Sequence, residues 1–158
     1  MKKAIYPGSF DPITFGHIDI VNRGCNIFDN ITIIISNNSV KDTMFTVEER
    51  IALTETIFKD NPKVSVATHN GLTVDCAADL NAISIIRGLR MVTDFEYEFQ
   101  MNLANKVLNE EIETVFLMTS IENSYISSST VKEIQHLHGA IEKFVPQIVI
   151  DAMNKKRP

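Results

Sequence analysis

The stretch that decides the fold is AIYPGSFDPITFGH, residues 4–17. It opens with three residues, Ala4 to Tyr6, that suit the start of a short buried strand. A loop with glycine and proline follows. Apolar residues then recur at helical spacing between Phe15 and Phe28. The stretch therefore predicts a strand, a loop and a helix, in that order.

The same alternation continues along the whole chain. Four more short apolar runs have the length of buried strands, at residues 31–35, 64–66, 83–86 and 115–118. Segments of helical length lie between them. Strands that alternate with helices imply right-handed crossovers and a parallel sheet covered on both faces. The predicted fold class is α/β, a doubly wound, Rossmann-like, five-stranded parallel sheet. At 158 residues, the chain is predicted to be a single domain over 1–158.

Three sequence signals predict where helices begin. The capping box Thr46-Val47-Glu48-Glu49 predicts the start of one helix. Asp94 is expected to cap a second, which runs to about Leu108. A further capping box, Thr130-Val131-Lys132-Glu133, predicts a helix after the serines at 127–129.

Composition excludes several classes of protein. Hydrophobic residues make up 44% and charged residues 22%, as in soluble globular domains. The formal net charge of −5 argues against a nucleic-acid partner, because such surfaces are usually strongly basic. No apolar run approaches the ~20 residues of a membrane span, so we expect a cytoplasmic protein without membrane contact. Cys25 and Cys76 have no CxxC partner and are predicted to be core thiols.

The loop after the first strand has the ingredients of a phosphate site. In parallel α/β sheets, ligands bind beyond the carboxyl ends of the strands. Gly8, Ser9 and Gly16 come before His17 at the helix start, where glycines admit a phosphate and free amides attract anions. The helix dipole disfavours the imidazolium of His17 until an anion arrives, which leaves a hydrogen-bond donor for phosphate oxygens. The alternative is that Pro and Gly only shape a turn and that His17 is incidental.

Basic residues follow other predicted strands. Lys41, Arg87 and Arg90 are each expected in a loop after a strand, and arginine can hold a phosphate through two parallel hydrogen bonds. The alternative for each is a solvated surface charge. Asp11 is expected to cap its own turn through the local backbone rather than to orient a metal, and is left outside the site. Glu98 is either a ligand or a favourable partner of its helix dipole.

Thr14-Phe15-Gly16-His17 is the TxGH motif of a nucleotidyltransferase superfamily, and the chain resembles the phosphopantetheine adenylyltransferase family. The resemblance runs from end to end. It is most specific in four blocks, at residues 6–14, 86–90, 94–98 and 126–129. It implies an enzyme that transfers AMP from ATP to 4′-phosphopantetheine, giving dephospho-coenzyme A and pyrophosphate in coenzyme A biosynthesis.

The resemblance also assigns roles to individual residues. It implies that His17 stabilises the transition state, with Lys41 and Arg90 as further catalytic residues. Residues expected to bind phosphopantetheine are Ser9, Lys41, Thr73 and Arg87. Residues expected to bind ATP are Ser9, Phe10, His17, Gly88, Leu89, Arg90, Glu98, Asn123, Ser124, Tyr125, Ile126, Ser127, Ser128 and Ser129.

The chemistry of this reaction explains why few conventional catalytic groups are visible. A phosphate monoester has a second pKa of about 6, so the nucleophile is already an anion at neutral pH and needs no general base. The enzyme must position two mutually repelling phosphates and stabilise charge at the α-phosphorus. We expect Mg²⁺ to be bound mainly through the ATP phosphates, and predict no side chain as a metal ligand.

The resemblance further implies a homohexamer and coenzyme A as a feedback ligand of the same pocket. The chain departs from the family in having no Trp near Asn123, and in carrying a polar Thr73 where relatives often have Leu or Met. Two alternatives stay open. One is a transferase of the same superfamily that acts on nicotinamide mononucleotide or a small alcohol phosphate with ATP or CTP. The other is a nucleotide-binding module without turnover.

Overall fold

The computed structural model describes residues 1–37 and 43–156. Within them lie five strands: β1 (Lys3–Gly8), β2 (Asn30–Ser36), β3 (Val64–His69), β4 (Ser84–Leu89) and β5 (Glu113–Met118). The helices are α1 (Phe15–Gly24), α2 (Val47–Phe58), α3 (Thr73–Asp79), α4 (Val92–Leu108), α5 (Ser128–His136) and α6 (Gln147–Lys155). A 3-10 turn at Ile121–Asn123 follows β5.

The strands form one parallel sheet in the order β3-β2-β1-β4-β5. The predicted fold class is therefore confirmed. The chain first winds outward from β1 to β2 and β3, then returns to the other side of β1 with β4 and β5. In such a sheet, the crevice for a ligand opens where the winding reverses, beyond the carboxyl ends of β1 and β4.

The central strands are buried on both faces, as their unbroken apolar runs predict. Side chains alternate between two apolar clusters: Tyr6 and Ile33 face the larger, while Ile5 and Ile34 face the smaller, next to α3. Cys25 lies in the first cluster and Cys76 in the second. Both thiols are buried and free, so the prediction of core thiols is confirmed.

Of the predictions about where helices begin, one is confirmed and two differ from the structure. The capping box of α2 is confirmed: the Glu49 amide donates to Thr46 Oγ1 at 3.3 Å, and the Thr46 amide donates to Glu49 Oε2 at 2.8 Å. Asp94 is not the N-cap of α4. It lies in the first turn and accepts from the amides of Arg90 and Met91 at 3.2 and 3.4 Å.

The predicted start of α5 was wrong by three residues. Ser127 is the N-cap, and its Oγ accepts from the Thr130 amide at 3.0 Å. The helix therefore begins within the serine run at Ser128, because a serine hydroxyl caps a helix as well as the threonine that follows it. Across residues 1–37 and 43–156, none of the helices has the length and apolar character needed to cross a membrane.

Candidate active site

A cavity of about 450 Å³ opens at the carboxyl ends of β1 and β4. Residues from β1, α1, β4 and the start of α5 line it, so elements that are far apart in sequence meet there. The predicted site residues among its lining are Ser9, Phe10, His17, Thr73, Arg87, Gly88, Arg90, Ile126, Ser127, Ser128 and Ser129. Lys41, predicted for both catalysis and acceptor binding, lies outside the described residues.

His17 is held in one orientation by the start of α1. The Thr14 amide donates to His17 Nδ1 at 3.0 Å, which completes a capping box. Because Nδ1 accepts this bond, the neutral ring carries its proton on Nε2. Burial, together with a smaller contribution from the nearby Arg90 charge, lowers the pKa of His17 to about 4. His17 is therefore a neutral donor at physiological pH, and burial is the largest cause of its lowered pKa.

Phe10 packs against the imidazole of His17. Its ring meets the His17 ring edge-on, with centroids 4.9 Å apart, and the Tyr6 ring lies 5.3 Å away on its other side. Phe10 is 2% exposed and has a φ of 47°, in the left-handed region that a bulky residue adopts only when its surroundings enforce it. A Cβ at Gly8 would lie 3.0 Å from the Phe10 ring, so a side chain there would force the buried ring to shift. The loop thus packs as a unit around His17.

Arg87 belongs to β4 itself and not to the loop in which the sequence pattern had placed it. The strand continues to Leu89 because Arg87 and Gly88 remain paired with β5. The Arg87 guanidinium donates to Glu98 Oε2 and Oε1 at 2.7 and 2.5 Å, and to the Pro7 carbonyl at 3.0 Å. Burial acts to lower the pKa of Arg87, but the Glu98 carboxylate outweighs it, and the net pKa is raised. Arg87 is therefore a fixed cation at the cavity wall.

Glu98 was predicted as an ATP ligand, and both of its carboxylate oxygens are hydrogen-bonded to Arg87. The structure thus joins a residue expected on the nucleotide to one expected on the acceptor. Leu89, also predicted to contact ATP, is 5% exposed within β4. Arg90 follows it, lines the cavity and forms an ion pair with Asp94 at 3.3 Å.

Residues 123–125 lie in the connection between β5 and α5. The Asn123 side chain donates to Ser120 Oγ at 2.8 Å, and Ser124 Oγ donates to the Ile121 carbonyl at 3.0 Å. The Tyr125 ring is 60% exposed and packs edge-on against Phe144, with centroids 6.0 Å apart. The expected ATP contacts of these three residues remain predictions.

The start of α5 is bonded to the first loop. Ser128 Oγ donates to the Pro12 carbonyl at 2.8 Å, and Lys132 Nζ, one turn later, donates to Asp11 Oδ2 at 2.8 Å. Ser127, Ser128 and Ser129 all line the cavity. A helix amino terminus with free amides at a cavity is a site for an anion.

Asp11 does not cap its own turn, and that expectation was wrong. Its carboxylate, 3% exposed on the residue as a whole, accepts from the amides of Met44 and Phe45 at 2.9 Å each, in addition to Lys132. These partners lie more than thirty positions away, because the segment before α2 packs onto the first loop. With three donors on its two oxygens, Asp11 does not fit a metal ligand. Among the described residues, no three His, Cys, Asp or Glu side chains gather as a metal site would require.

Several residues of the site had no sequence signal that separated them from structural ones. Tyr6 lines the cavity with a neutral phenol, whose pKa is raised by burial. Ser36, at the end of β2, and Tyr97, on α4, line it as well. The position of Ser36 after an apolar run could have indicated it, since every strand end in this fold faces the ligand crevice.

Comparison with known proteins agrees with this geometry. Residues 5–134 match the model of the cytidylyltransferase-like family. A phosphopantetheine adenylyltransferase of Caldanaerobacter subterraneus subsp. tengcongensis is 52% identical over 156 residues, which cover 99% of this chain and 98% of the relative. A protein of the same name from Lachnoclostridium phytofermentans is 53% identical over 161 residues, which cover 99% of each.

A solved structure of a candidate nicotinate-nucleotide adenylyltransferase from Vibrio parahaemolyticus superposes with a TM-score of 0.74. It covers 99% of this chain and 94% of that one at 17% identity, so it supports the fold alone. The curated relatives, by contrast, are about half identical along almost the entire chain. The chain therefore belongs to the phosphopantetheine adenylyltransferase family, within the cytidylyltransferase-like group.

Proposed function

We propose that this enzyme transfers AMP from ATP to 4′-phosphopantetheine and releases dephospho-coenzyme A and pyrophosphate, a step of coenzyme A biosynthesis. The observation that carries the proposal is that His17, Arg87, Arg90 and the start of α5 converge on one cavity. A neutral donor, two guanidinium groups and a helix amino terminus are the groups that a reaction between two phosphates requires. The names of the curated relatives specify the same transfer.

The acceptor phosphate is the nucleophile. It is an anion at neutral pH, because the second pKa of a phosphate monoester is about 6, and no base has to activate it. Accordingly, no carboxylate is among the described residues that line the cavity. Two carboxylates nearby are already hydrogen-bonded, Glu98 to Arg87 and Asp11 to three donors. Catalysis rests on placing the acceptor oxygen in line with the pyrophosphate leaving group.

His17 Nε2–H donates to an oxygen of the α-phosphate, where negative charge changes most during transfer. A neutral imidazole can do this without protonating the acceptor phosphate, and its fixed ring requires no reorganisation. Phe10 and the Thr14 amide supply that rigidity.

The two phosphate groups repel each other, so the cavity has to bind them with separate groups. Ser9, Thr73 and Arg87, together with Lys41, bind the acceptor. Arg90 and the serines at the start of α5 bind the ATP phosphates. Mg²⁺, held mainly by the ATP phosphates, would neutralise part of their charge.

We propose a homohexamer as the assembly, supported by the surface of α4. No residue of this helix is buried in the described chain, although Phe95, Phe99 and Leu103 repeat at helical spacing and are each more than 40% exposed. An apolar stripe of this kind is typical of an interface. Light scattering should give six times the mass of one chain, and a monomer would contradict the proposal.

Feedback binding of coenzyme A to the same cavity, and residence in the cytoplasm, are part of the same proposal. Coenzyme A contains the pantetheine arm and the adenosine of the product, so it can occupy both halves of the site. Two free, buried thiols suit a reducing compartment. Competition of coenzyme A with 4′-phosphopantetheine in the turnover assay tests the first point.

The test of the activity is a panel of acceptors. The protein is incubated with ATP, Mg²⁺ and either 4′-phosphopantetheine, nicotinamide mononucleotide or a small alcohol phosphate, and with CTP in place of ATP. We expect pyrophosphate and dephospho-coenzyme A only with ATP and 4′-phosphopantetheine. Turnover with another acceptor would favour the alternative transferase, and ATP binding without any pyrophosphate would indicate a module without turnover.

A further inference from the structure

Arg50 is a buried cation behind the cavity. It lies on α2, is 3% exposed and is not among the residues that line the cavity. Its NH1 donates to the carbonyl oxygens of Ser9 and Ser36 at 2.7 and 3.0 Å, and its Nε donates to the Thr46 carbonyl at 3.3 Å. All of these partners are backbone carbonyls. Within residues 1–37 and 43–156, no carboxylate forms an ion pair with Arg50.

Two of the three residues whose carbonyl oxygens accept from Arg50, Ser9 and Ser36, are part of the cavity wall. Ser9 follows β1 and Ser36 ends β2, two neighbouring strands whose register pairs Gly8 with Ile35. Both serines line the cavity. A carbonyl oxygen carries partial negative charge, so a free carbonyl at this edge would repel a phosphate. Because both oxygens accept hydrogen bonds from Arg50, their partial negative charge is offset within the protein.

The charge of Arg50 is also weakly screened. An exposed guanidinium is surrounded by water and salt, whereas one that is 3% exposed acts through a medium of low polarity. A buried cation is usually paired with an anion, whereas the described hydrogen-bond partners of Arg50 are all carbonyl oxygens, and the Glu48 carboxylate interacts with its charge without forming an ion pair. An anion bound next to Ser9 and Ser36 would supply the missing negative charge.

We infer that Arg50 is a positioning residue for the phosphate of the acceptor. It acts through the Ser9 and Ser36 backbone and through its charge, without touching the substrate. The inference rests on the proposed function for the identity of the acceptor. It adds a residue whose position in the pattern of α2 does not distinguish it from a solvated arginine.

The experiment measures binding rather than turnover, with two probes that differ only in the phosphate. Calorimetry gives the dissociation constants of pantetheine, which lacks the phosphate, and of 4′-phosphopantetheine for the wild type, Arg50→Gln and Arg50→Lys. Thr54→Val is the matched control. Thr54 is fully buried on the same helix and donates to the Arg50 carbonyl at 2.7 Å, so this variant perturbs α2 without removing the guanidinium.

We expect Arg50→Gln to weaken binding of the phosphorylated probe at least about tenfold and to leave pantetheine within about twofold, since only the phosphate senses the charge. For Arg50→Lys, the affinity for the phosphorylated probe should lie between those of the wild type and Arg50→Gln, because lysine retains the charge but not the two bonds from NH1. Thr54→Val should leave the ratio of the two dissociation constants unchanged. Equal weakening of both probes by Arg50→Gln, or no weakening of either, would overturn the inference.

If Arg50→Gln does not fold, Arg50→Lys decides: a selective loss of at least about threefold for the phosphorylated probe is expected, and no selectivity overturns the inference. The proposed function is tested separately. A wild type that turns over while the Arg50 variants bind normally would refute only the positioning role. A wild type that does not bind 4′-phosphopantetheine would refute the proposed function itself.

Discussion

Replacing His17 with Ala should lower kcat far more than it lowers the affinity for ATP. The wild-type imidazole presents Nε2–H to the cavity, because the Thr14 amide occupies Nδ1 at 3.0 Å. Loss of one preorganised donor to a developing charge typically costs about 10²–10³ in rate, or roughly 3–4 kcal/mol. Since this bond strengthens only in the transition state, the Kd of ATP should change less than about tenfold.

The same substitution should also affect stability, and the structure gives the size of that effect. It removes the side-chain half of the capping box of α1, worth about 1 kcal/mol, and the edge-on contact with Phe10, worth about another 1 kcal/mol. The free energy of unfolding should therefore fall by roughly 2 kcal/mol. Urea denaturation measures this loss independently of turnover.

His17→Gln is the matched control for this prediction. A glutamine at the third helical position can complete a capping box, so it should recover about 1 kcal/mol of the lost stability. Its amide is not held by Phe10 at the position of the imidazole, so kcat should stay at least about 10² below the wild type. A His17→Ala kcat within about threefold of the wild type, or a loss of ATP affinity as large as the loss of kcat, would refute the reasoning.

Three further predictions concern the same region. His17 has a pKa of about 4 when folded, against an ordinary 6.5. The unfolded chain therefore binds more protons between these values, and the contribution of His17 to stability falls by up to about 3 kcal/mol as the pH drops from about 6.5 to 4. Urea denaturation across this range should show a smaller loss for His17→Ala. Asp11→Asn should cost about 2–3 kcal/mol, because it removes the charge that Lys132 faces and mismatches two backbone amides; an unchanged urea midpoint would contradict this. Glu98→Gln should raise the KM for the acceptor about fivefold, because Arg87 loses its charged partner, and leave the KM for ATP within about twofold. The reverse pattern would show that Glu98 contacts the nucleotide.

The order of strands and helices could be predicted from the sequence, because burial of an element determines the spacing of its apolar residues. Strands such as β2 are buried on both faces and appear in the sequence as unbroken apolar runs. In the helices between them, the apolar residues recur with a longer period. The position of His17 at the start of α1 could also be predicted, because glycine and proline mark a loop before it and the apolar spacing after Phe15 marks a helix.

The roles of the buried charges could not be predicted in the same way. Asp11 looks like a turn residue and Arg50 like one more charge in Glu48-Glu49-Arg50, but their partners lie 33 to 121 positions away for Asp11 and up to 41 for Arg50. The pairing of Glu98 with Arg87 likewise depends on how α4 packs beside β4. Local propensity carries no information about such contacts, because tertiary packing creates them.

The boundaries that were missed have the same origin. β4 extends to Leu89 because β5 continues to pair with it, although Arg87 and Gly88 do not read as strand residues. At α5, one hydroxyl capped the helix earlier than the capping-box pattern indicated. Predicted site residues from both segments, Arg87 and Gly88 in β4 and Ser128 and Ser129 in α5, line the cavity.

The central claim is that the acceptor phosphate attacks the α-phosphorus of ATP directly, with the protein supplying position and charge but no nucleophile. The most direct test is the stereochemical course of transfer from ATP made chiral at its α-phosphorus by sulfur and oxygen isotopes. A single in-line displacement predicts inversion at phosphorus in the dephospho-coenzyme A analogue. Retention would contradict the account, because it would require an adenylylated intermediate on a residue such as His17.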